Sequence, residues 1–340
     1  MRAAGGLGLA AVLALAAPAI GQPQGSIPAG DWRTIDRDLA ATRYSPLDEI
    51  NKSNVANLVE AWSYPIRGFN TAVPLVIDGV MYFPVGNRVI ALNADTGAEV
   101  WVYEHPRAEG DGPGAGGVSG RGVGYWPGEG NLAPRIMVMA GSKMVALDAA
   151  TGRPVESFGQ GGSIDVGVPY GGTPTIFRNV AVIGAATLEN PIGVPGNPRA
   201  FDVRTGAKLW EFQTVPRPGE PYNETWGNGW EGRSGTNMWA FAAPVDVERG
   251  VVYLPISGPA ANYWGGDRPG TNLFANSIVA VDIETGEYRW HYQTVHHDLW
   301  DTDMPTAGAL LNVTVNGKTQ PAIAHVGKTS FFYLLDRETG

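Results

Sequence analysis

The sequence contains no cysteine in its 340 residues. Disulfides, thiolate metal sites, covalent haem attachment and a cysteine nucleophile are therefore excluded from this segment. Charge is scarce as well: Asp, Glu, Lys and Arg make up 17%, too little for a coiled coil or a long solvated helix. There is no basic excess. Lys and Arg number 24 against 33 Asp and Glu, a net charge of −9, which argues against a nucleic-acid partner because such a surface needs a basic face. No run of 18 apolar residues follows Gln22, so no membrane span is expected beyond it.

Turn residues are plentiful. The 47 glycines and 26 prolines are about a fifth of the chain, where about 12% is usual, and they forecast many turns. Eleven tryptophans and 10% aromatics speak against disorder. The length allows one large domain or two ordinary ones.

The first residues read as a targeting segment. Met1-Arg2 carries one positive charge, Ala3 to Ala19 is uncharged and built mainly of Ala, Leu, Gly and Val, and Ala17-Pro18-Ala19 or Ala19-Ile20-Gly21 offers a cleavage site. A signal peptide over residues 1–21 is expected, with a membrane anchor as the alternative. The mature protein, from residue 22, is expected to be soluble and periplasmic.

That remainder is repetitive. Ala91-Leu92-Asn93-Ala94-Asp95-Thr96-Gly97 is followed by Trp101; related heptads end at Gly152, Gly206, Gly286 and Gly340. Trp210 and Trp290 follow two of these, and Phe158 takes the tryptophan's place after Gly152. The threonines Thr96, Thr151, Thr205, Thr285 and Thr339 lie 55, 54, 80 and 54 residues apart, the signature of a repeat fold. Val89 to Leu92 reads as a strand, Asp-x-x-Thr-Gly as a turn, and Val100 to Tyr103 as the return strand. Leu75 to Phe83 forms a further hairpin around Asp78-Gly79. Four strands per unit describe a propeller blade, so the fold class is all-β. A short helix is expected only at Asn51 to Leu58. The long interval places an insertion at Pro216 to Thr236, expected on the binding face. The pattern stops at Gly340 inside a hairpin, so the chain is expected to be the first four to five blades of one ring.

Polar chemistry lies outside the repeat. His296-His297-Asp298-Leu299-Trp300-Asp301-Thr302-Asp303 packs three carboxylates, two histidines and a tryptophan into eight residues. A carboxylate here suits a general base or a metal ligand; the bland reading is a solvated loop. The two histidines are adjacent, so in extended chain they face opposite ways and would not share one metal. Arg121, Glu189 and Lys328 stand at Gly-rich or strand-end positions, and each alone reads as surface charge.

Several segments together resemble the pyrroloquinoline-quinone (PQQ) dependent dehydrogenases, from about residue 30 onward. They are Thr42-Arg43-Tyr44-Ser45-Pro46-Leu47 with Ile50-Asn51 and Ala61-Trp62, Arg121-Gly122-Val123-Gly124-Tyr125-Trp126-Pro127-Gly128, Ala200 to Gly206, and Trp290 through Asp301. The last resembles the glucose dehydrogenase branch rather than the methanol dehydrogenase branch. The resemblance implies an eight-bladed quinoprotein β-propeller with the quinone near its axis. It implies Asp301 as catalytic base, with Arg121, Thr175, Trp239 and Lys328 binding PQQ. Glu189, Asp301 and Asp303 are implied as ligands of Ca²⁺, with Mg²⁺ or a lanthanide as alternatives. A quinone bearing three carboxylates suits Arg and Lys partners, a flat ring suits an indole floor, and a hard cation suits carboxylate oxygen. The implied reaction is oxidation of a sugar or other alcohol, with electrons passed to ubiquinone or cytochrome c. Departures from the family pattern are Ala115-Gly116 in place of a vicinal cysteine pair, Gly117 in place of a histidine, Thr71 in place of a glutamate, and Gly258 near the position of an asparagine. Two other readings accompany this one: a non-catalytic propeller scaffold of the outer-membrane assembly type, and an inactive family member.

Overall fold

The computed structural model describes residues 27–66, 70–106, 117–239 and 241–340. The expected signal peptide and Ala115-Gly116 lie outside the described residues. Five antiparallel sheets follow one another along the chain. Sheet 1 holds β1 (Leu75–Ile77), β2 (Val80–Val85), β3 (Arg88–Asn93) and β4 (Glu99–Glu104). Sheet 2 holds β5 (Gly124–Trp126), β6 (Arg135–Ala140), β7 (Lys143–Asp148) and β8 (Ser163–Asp165). Sheet 3 holds β9 (Thr175–Phe177), β10 (Val180–Ile183), β11 (Arg199–Asp202) and β12 (Lys208–Glu211). Sheet 4 holds β13 (Val245–Asp246), β14 (Val251–Ile256), β15 (Ser277–Asp282) and β16 (Tyr288–Gln293). Sheet 5 holds β17 (Ala309–Val315), β18 (Lys318–Val326) and β19 (Phe332–Asp336). Each is a simple meander of neighbouring strands, and the all-β expectation holds. The helix expected at Asn51 to Leu58 is only a single 3₁₀ turn, Val55–Asn57: Asn51 and Asn54 spend their side chains on local backbone, which competes with helix propagation.

The hydrophobic core is divided into layers between sheets. Ile136 and Val138 pack toward sheet 1, while Met137 and Met139, the alternate residues of the same strand, pack toward sheet 3. Ala181 and Ile183 likewise face sheet 2 as Val180 and Val182 face sheet 4. A strand buried on both faces reads as a continuous apolar run, as these do.

The repeated heptad explains itself. Asp148 Oδ1 accepts the Ala150 and Thr151 amides at 3.1 and 2.9 Å and the Thr151 hydroxyl at 2.8 Å. Asn93, Asp282 and Asp336 close their turns in the same way. The final glycine has positive φ, +69° at Gly152, and a flat ring lies against it. A Cβ at Gly152 would stand 2.5 Å from the Trp101 indole. Gly97 meets Trp62, Gly286 meets Trp210 and Gly340 meets Trp290 in the same fashion. The indole N–H then donates to the carbonyl three residues before that glycine in each case: Trp62 to Ala94, Trp101 to Ala149, Trp210 to Ile283 and Trp290 to Arg337, all at 2.9–3.0 Å. The motif alanine completes the arrangement, because Ala91, Ala200 and Ala280 sit directly across from Trp101, Trp210 and Trp290.

One junction departs from the rule. Gly206 is met by Ile164 and Phe158, and phenylalanine has no N–H to give. The equivalent carbonyl, Val203 O, accepts instead from Arg135 Nη1 at 2.6 Å. Arg135 is buried and lies against the Trp126 ring. Arg135→Met is expected to leave Val203 O buried without a donor, lowering stability by about 1–3 kcal/mol. Urea denaturation of the full-length protein measures this, and parental stability in the variant would remove Arg135 from that role.

Candidate active site

The meander sorts the connections by end. Links between the second and third strands of a sheet, and links from one sheet to the next, emerge at one end; the Thr-Gly turns emerge at the other. Glu189, Asn262 and Lys328 follow β10, β14 and β18, the second strands of three consecutive sheets. Arg121, Trp239, Asp301 and Asp303 lie on links that precede β5, β13 and β17. Sequence-distant polar residues are thereby delivered to one place.

They line a cavity of about 290 Å³ that includes Arg121, Glu189, Trp239, Asn262, Asp301 and Asp303. Lys328 closes on the same group: its Nζ donates to Asp301 Oδ2 at 3.0 Å and Asp303 Oδ2 at 2.6 Å. It also stands 5.8 Å from the centre of the Trp239 ring. Asp303 is buried and its other oxygen accepts the Gly258 amide at 3.2 Å. Burial pushes the Asp303 pKa up, and Asp301 adds to this, while Lys328 opposes it. Burial pulls Lys328 down, but the two aspartates outweigh it and hold the ammonium above its ordinary value. The Trp239 backbone is fixed by the buried Tyr170 hydroxyl, which donates to Trp239 O at 3.0 Å. Arg121 lies 4.8 Å from the Phe241 ring centre. The insertion at Pro216 to Thr236 leads straight into the Trp239 segment, and its Gly235 reaches the cavity. A larger groove of about 590 Å³ lies beside sheets 4 and 5. None of the candidates lines it, and its arginines Arg249 and Arg337 are already paired with Asp246.

Asn262 is the residue that sequence reading missed. Its Nδ2 donates to Glu189 Oε2 at 3.3 Å and Asp301 Oδ1 at 3.1 Å, joining the two carboxylates. Its only signal was position, on a loop after a second strand as Glu189 is. Gly258 has no side-chain amide to offer, and a Cβ there would stand 3.1 Å from Asp298 Oδ2.

One expected site residue lies elsewhere in the structure. Thr175 is not brought to the cavity. It is the first residue of β9, buried, and its hydroxyl accepts the Ala243 amide at 2.9 Å, linking sheet 3 to the approach to β13. It lines a separate small void with Ile35 and Leu39. Asp303, expected as a metal ligand, does line the cavity, with Lys328 on Oδ2 and the Gly258 amide on Oδ1.

The residues present fit a flat anionic ring. Trp239 offers a plane, Lys328 and Arg121 offer cations, and the buried Ser257 Oγ on the cavity wall has no hydrogen-bond partner among the described residues. For a metal the fit is narrower. Among the described residues no three His, Asp or Glu side chains form a ready-made cluster. Glu189, Asp301 and the Asn262 amide remain as oxygen donors of the kind a hard cation takes.

Comparison with known proteins identifies the family. The family profile "PQQ: Glucose/ethanol/alcohol dehydrogenase, beta-propeller domain" matches residues 32–340. A quinohemoprotein alcohol dehydrogenase of Comamonas testosteroni is 36% identical over 91% of the chain and 45% of its own length. A quinoprotein glucose dehydrogenase of Gluconobacter oxydans is 32% identical over 93% and 43%. The chain thus spans a little under half the length of these relatives. The crystal structure of the Comamonas enzyme superposes with a TM-score of 0.78 at 33% identity, covering 91% of this chain and 48% of that one. A europium-containing methanol dehydrogenase gives 0.74 at 26%, covering 92% and 57%.

The Lys328–Asp303 pair yields a pH prediction. A carboxyl whose pKa is raised in the fold binds more protons there than in the unfolded chain, so it weakens the fold as pH rises through that window. Lys328→Met removes the opposing ammonium and widens the window upward. The variant's deficit is expected to be larger at pH 7 than at pH 5. It should reach about 1 kcal/mol, discounted because the Lys328 side chain is 41% exposed. Denaturant midpoints at the two pH values measure it; a deficit independent of pH would contradict the coupling.

Proposed function

The chain belongs to the family of PQQ-dependent glucose, ethanol and alcohol dehydrogenase β-propeller domains, and from that membership and the cavity we propose that the protein oxidises a sugar or other alcohol to the carbonyl compound. The observation that carries this reading is the convergence of Arg121, Glu189, Trp239, Asp301 and Asp303 on one cavity, with Lys328 bonded to both aspartates. A scaffold propeller needs the Thr-Gly turns but has no use for this group, and the relatives compared are named dehydrogenases.

Bound PQQ supplies an acceptor for the hydride leaving the alcohol carbon, and a bound Ca²⁺, Mg²⁺ or lanthanide supplies a Lewis acid. Trp239 would floor the ring, and Arg121 and Lys328 would meet its anionic groups. Glu189, Asp301 and Asn262 would hold the metal. Asp301 Oδ2 is the proton acceptor for the substrate hydroxyl. Lys328 beside it donates to that carboxylate, and Asp303 keeps Lys328 in place. No helix among the described residues is long and apolar enough to cross a membrane. On this reading the protein is exported and acts in the periplasm. Ubiquinone or cytochrome c is the proposed electron acceptor.

Asp301→Asn is expected to lower turnover by about 100- to 10,000-fold, the usual worth of a general base, while PQQ binding survives. Dye reduction by the full-length protein reconstituted with PQQ and Ca²⁺, over a panel of aldoses and alcohols, measures this; full activity in the variant would remove Asp301 from the mechanism. Asn262→Ala is expected to weaken Ca²⁺ binding about 10-fold, as loss of one coordinating or supporting group commonly does. Competition of Ca²⁺ against Tb³⁺ luminescence reads this without turnover, and unchanged affinity would take Asn262 out of the donor set.

A further inference from the structure

Asp301 stands in an uncommon backbone conformation. Its φ is +57°, in the left-handed region that residues with a Cβ avoid. Such a residue persists only where its surroundings over-determine it. Those surroundings are visible three residues earlier. The buried Asp298 carboxylate takes the Trp300 amide on Oδ1 at 3.0 Å and the Thr302 amide on Oδ2 at 2.8 Å. These are the residues on either side of Asp301. Asn276, fully buried on the link into β15, donates to Asp298 Oδ2 at 2.9 Å and to Thr302 O at 3.0 Å. Arg268, also fully buried, donates to Asp298 O at 2.5 Å. Gly258 leaves the room for this contact, since its absent side chain faces Asp298 Oδ2.

The geometry points to Asp298 as the positioning residue of the site: braced by Asn276 and Arg268, it fixes the chain on both sides of Asp301 and so holds the Asp301 carboxylate toward the cavity. The inference rests on Asp301 being the proton acceptor. Asp298 is buried behind the cavity and does not line it. Its two oxygens serve two backbone donors, a task that only an acceptor at both positions performs. In Asp298→Asn one acceptor becomes an NH₂ group set against an N–H, and the turn is released on one side.

The test uses the full-length protein with PQQ and Ca²⁺. Asp298→Asn is expected to lower kcat by about 10- to 100-fold with KM within about twofold, because substrate contacts are untouched and only the base is displaced. Asn276→Ser, which keeps the carboxylate but loosens its anchor, should give a smaller loss of the same kind. Combined with Asp301→Asn, the Asp298 change should cost nothing further, since it acts through a group already removed. Additive losses in the double variant, or parental kcat in Asp298→Asn, would overturn the inference. Hydrogen exchange separates its failure from that of the Asp301 assignment. Faster exchange at the Trp300 and Thr302 amides in Asp298→Asn supports the clamp whatever Asp301 does, and unchanged exchange refutes it even if Asp301 proves catalytic.

Discussion

The structure depends on one contact made over and over: a flat ring lying on the glycine of the neighbouring Thr-Gly turn, with a donor reaching the turn's carbonyl. Glycine is required twice at that point, for its positive φ and for the absent Cβ that the ring occupies. The contact fixes how far each sheet can slide past the next, because the ring and the carbonyl must both register. The Phe158 junction shows what the constraint really is. The carbonyl must have a donor, and the ring must be flat, but the two need not come from one residue. Arg135 supplies from the sheet body what Phe158 lacks.

That rigidity is what makes the opposite end usable. A meander places the second-to-third links and the sheet-to-sheet links together, away from the turns. With the sheets locked, Glu189, Asn262 and Lys328 arrive from equivalent loops of three sheets, and Asp301 and Asp303 from a link between two of them. Loops vary freely in sequence while their roots stay fixed, so a cluster of charges can be assembled there without disturbing the layers. The strained backbone at Asp301 is tolerable for the same reason, since Asn276 and Gly258 belong to the rigid roots of sheet 4.

Legibility from sequence followed the same division. The repeat could be read because each of its residues answers to local physics: Asp and Thr cap the turn, Gly takes positive φ, and strands alternate. Asp301 and Lys328 could be named through family resemblance, and the structure joins them by a hydrogen bond. Asn262 could not be found, because nothing local marks an asparagine whose two partners are 73 and 39 residues away. Thr175 was misplaced for a related reason. A threonine at a strand start has one hydroxyl, and whether it meets a ligand or the Ala243 backbone is decided by the next sheet. Arg135 gave no signal at all, since its partner carbonyl is defined only once two sheets are packed.

The charges of the cavity add a last constraint. Arg121 and Lys328 face Glu189, Asp301 and Asp303, so the group carries one more negative charge than positive. On the proposed reading it must admit a ring bearing carboxylates, and like charges in a partly desolvated cavity repel strongly. A cation held by Glu189 and Asp301 would reverse that balance, and it would also relieve Lys328 of neutralising both aspartates by itself. Lys328 would then be free to serve the anion while keeping Asp303, whose second oxygen the Gly258 amide holds. On that reading metal and cofactor would be thermodynamically linked, each favouring the binding of the other. The linkage would operate through the single ammonium that bridges Asp301 and Asp303.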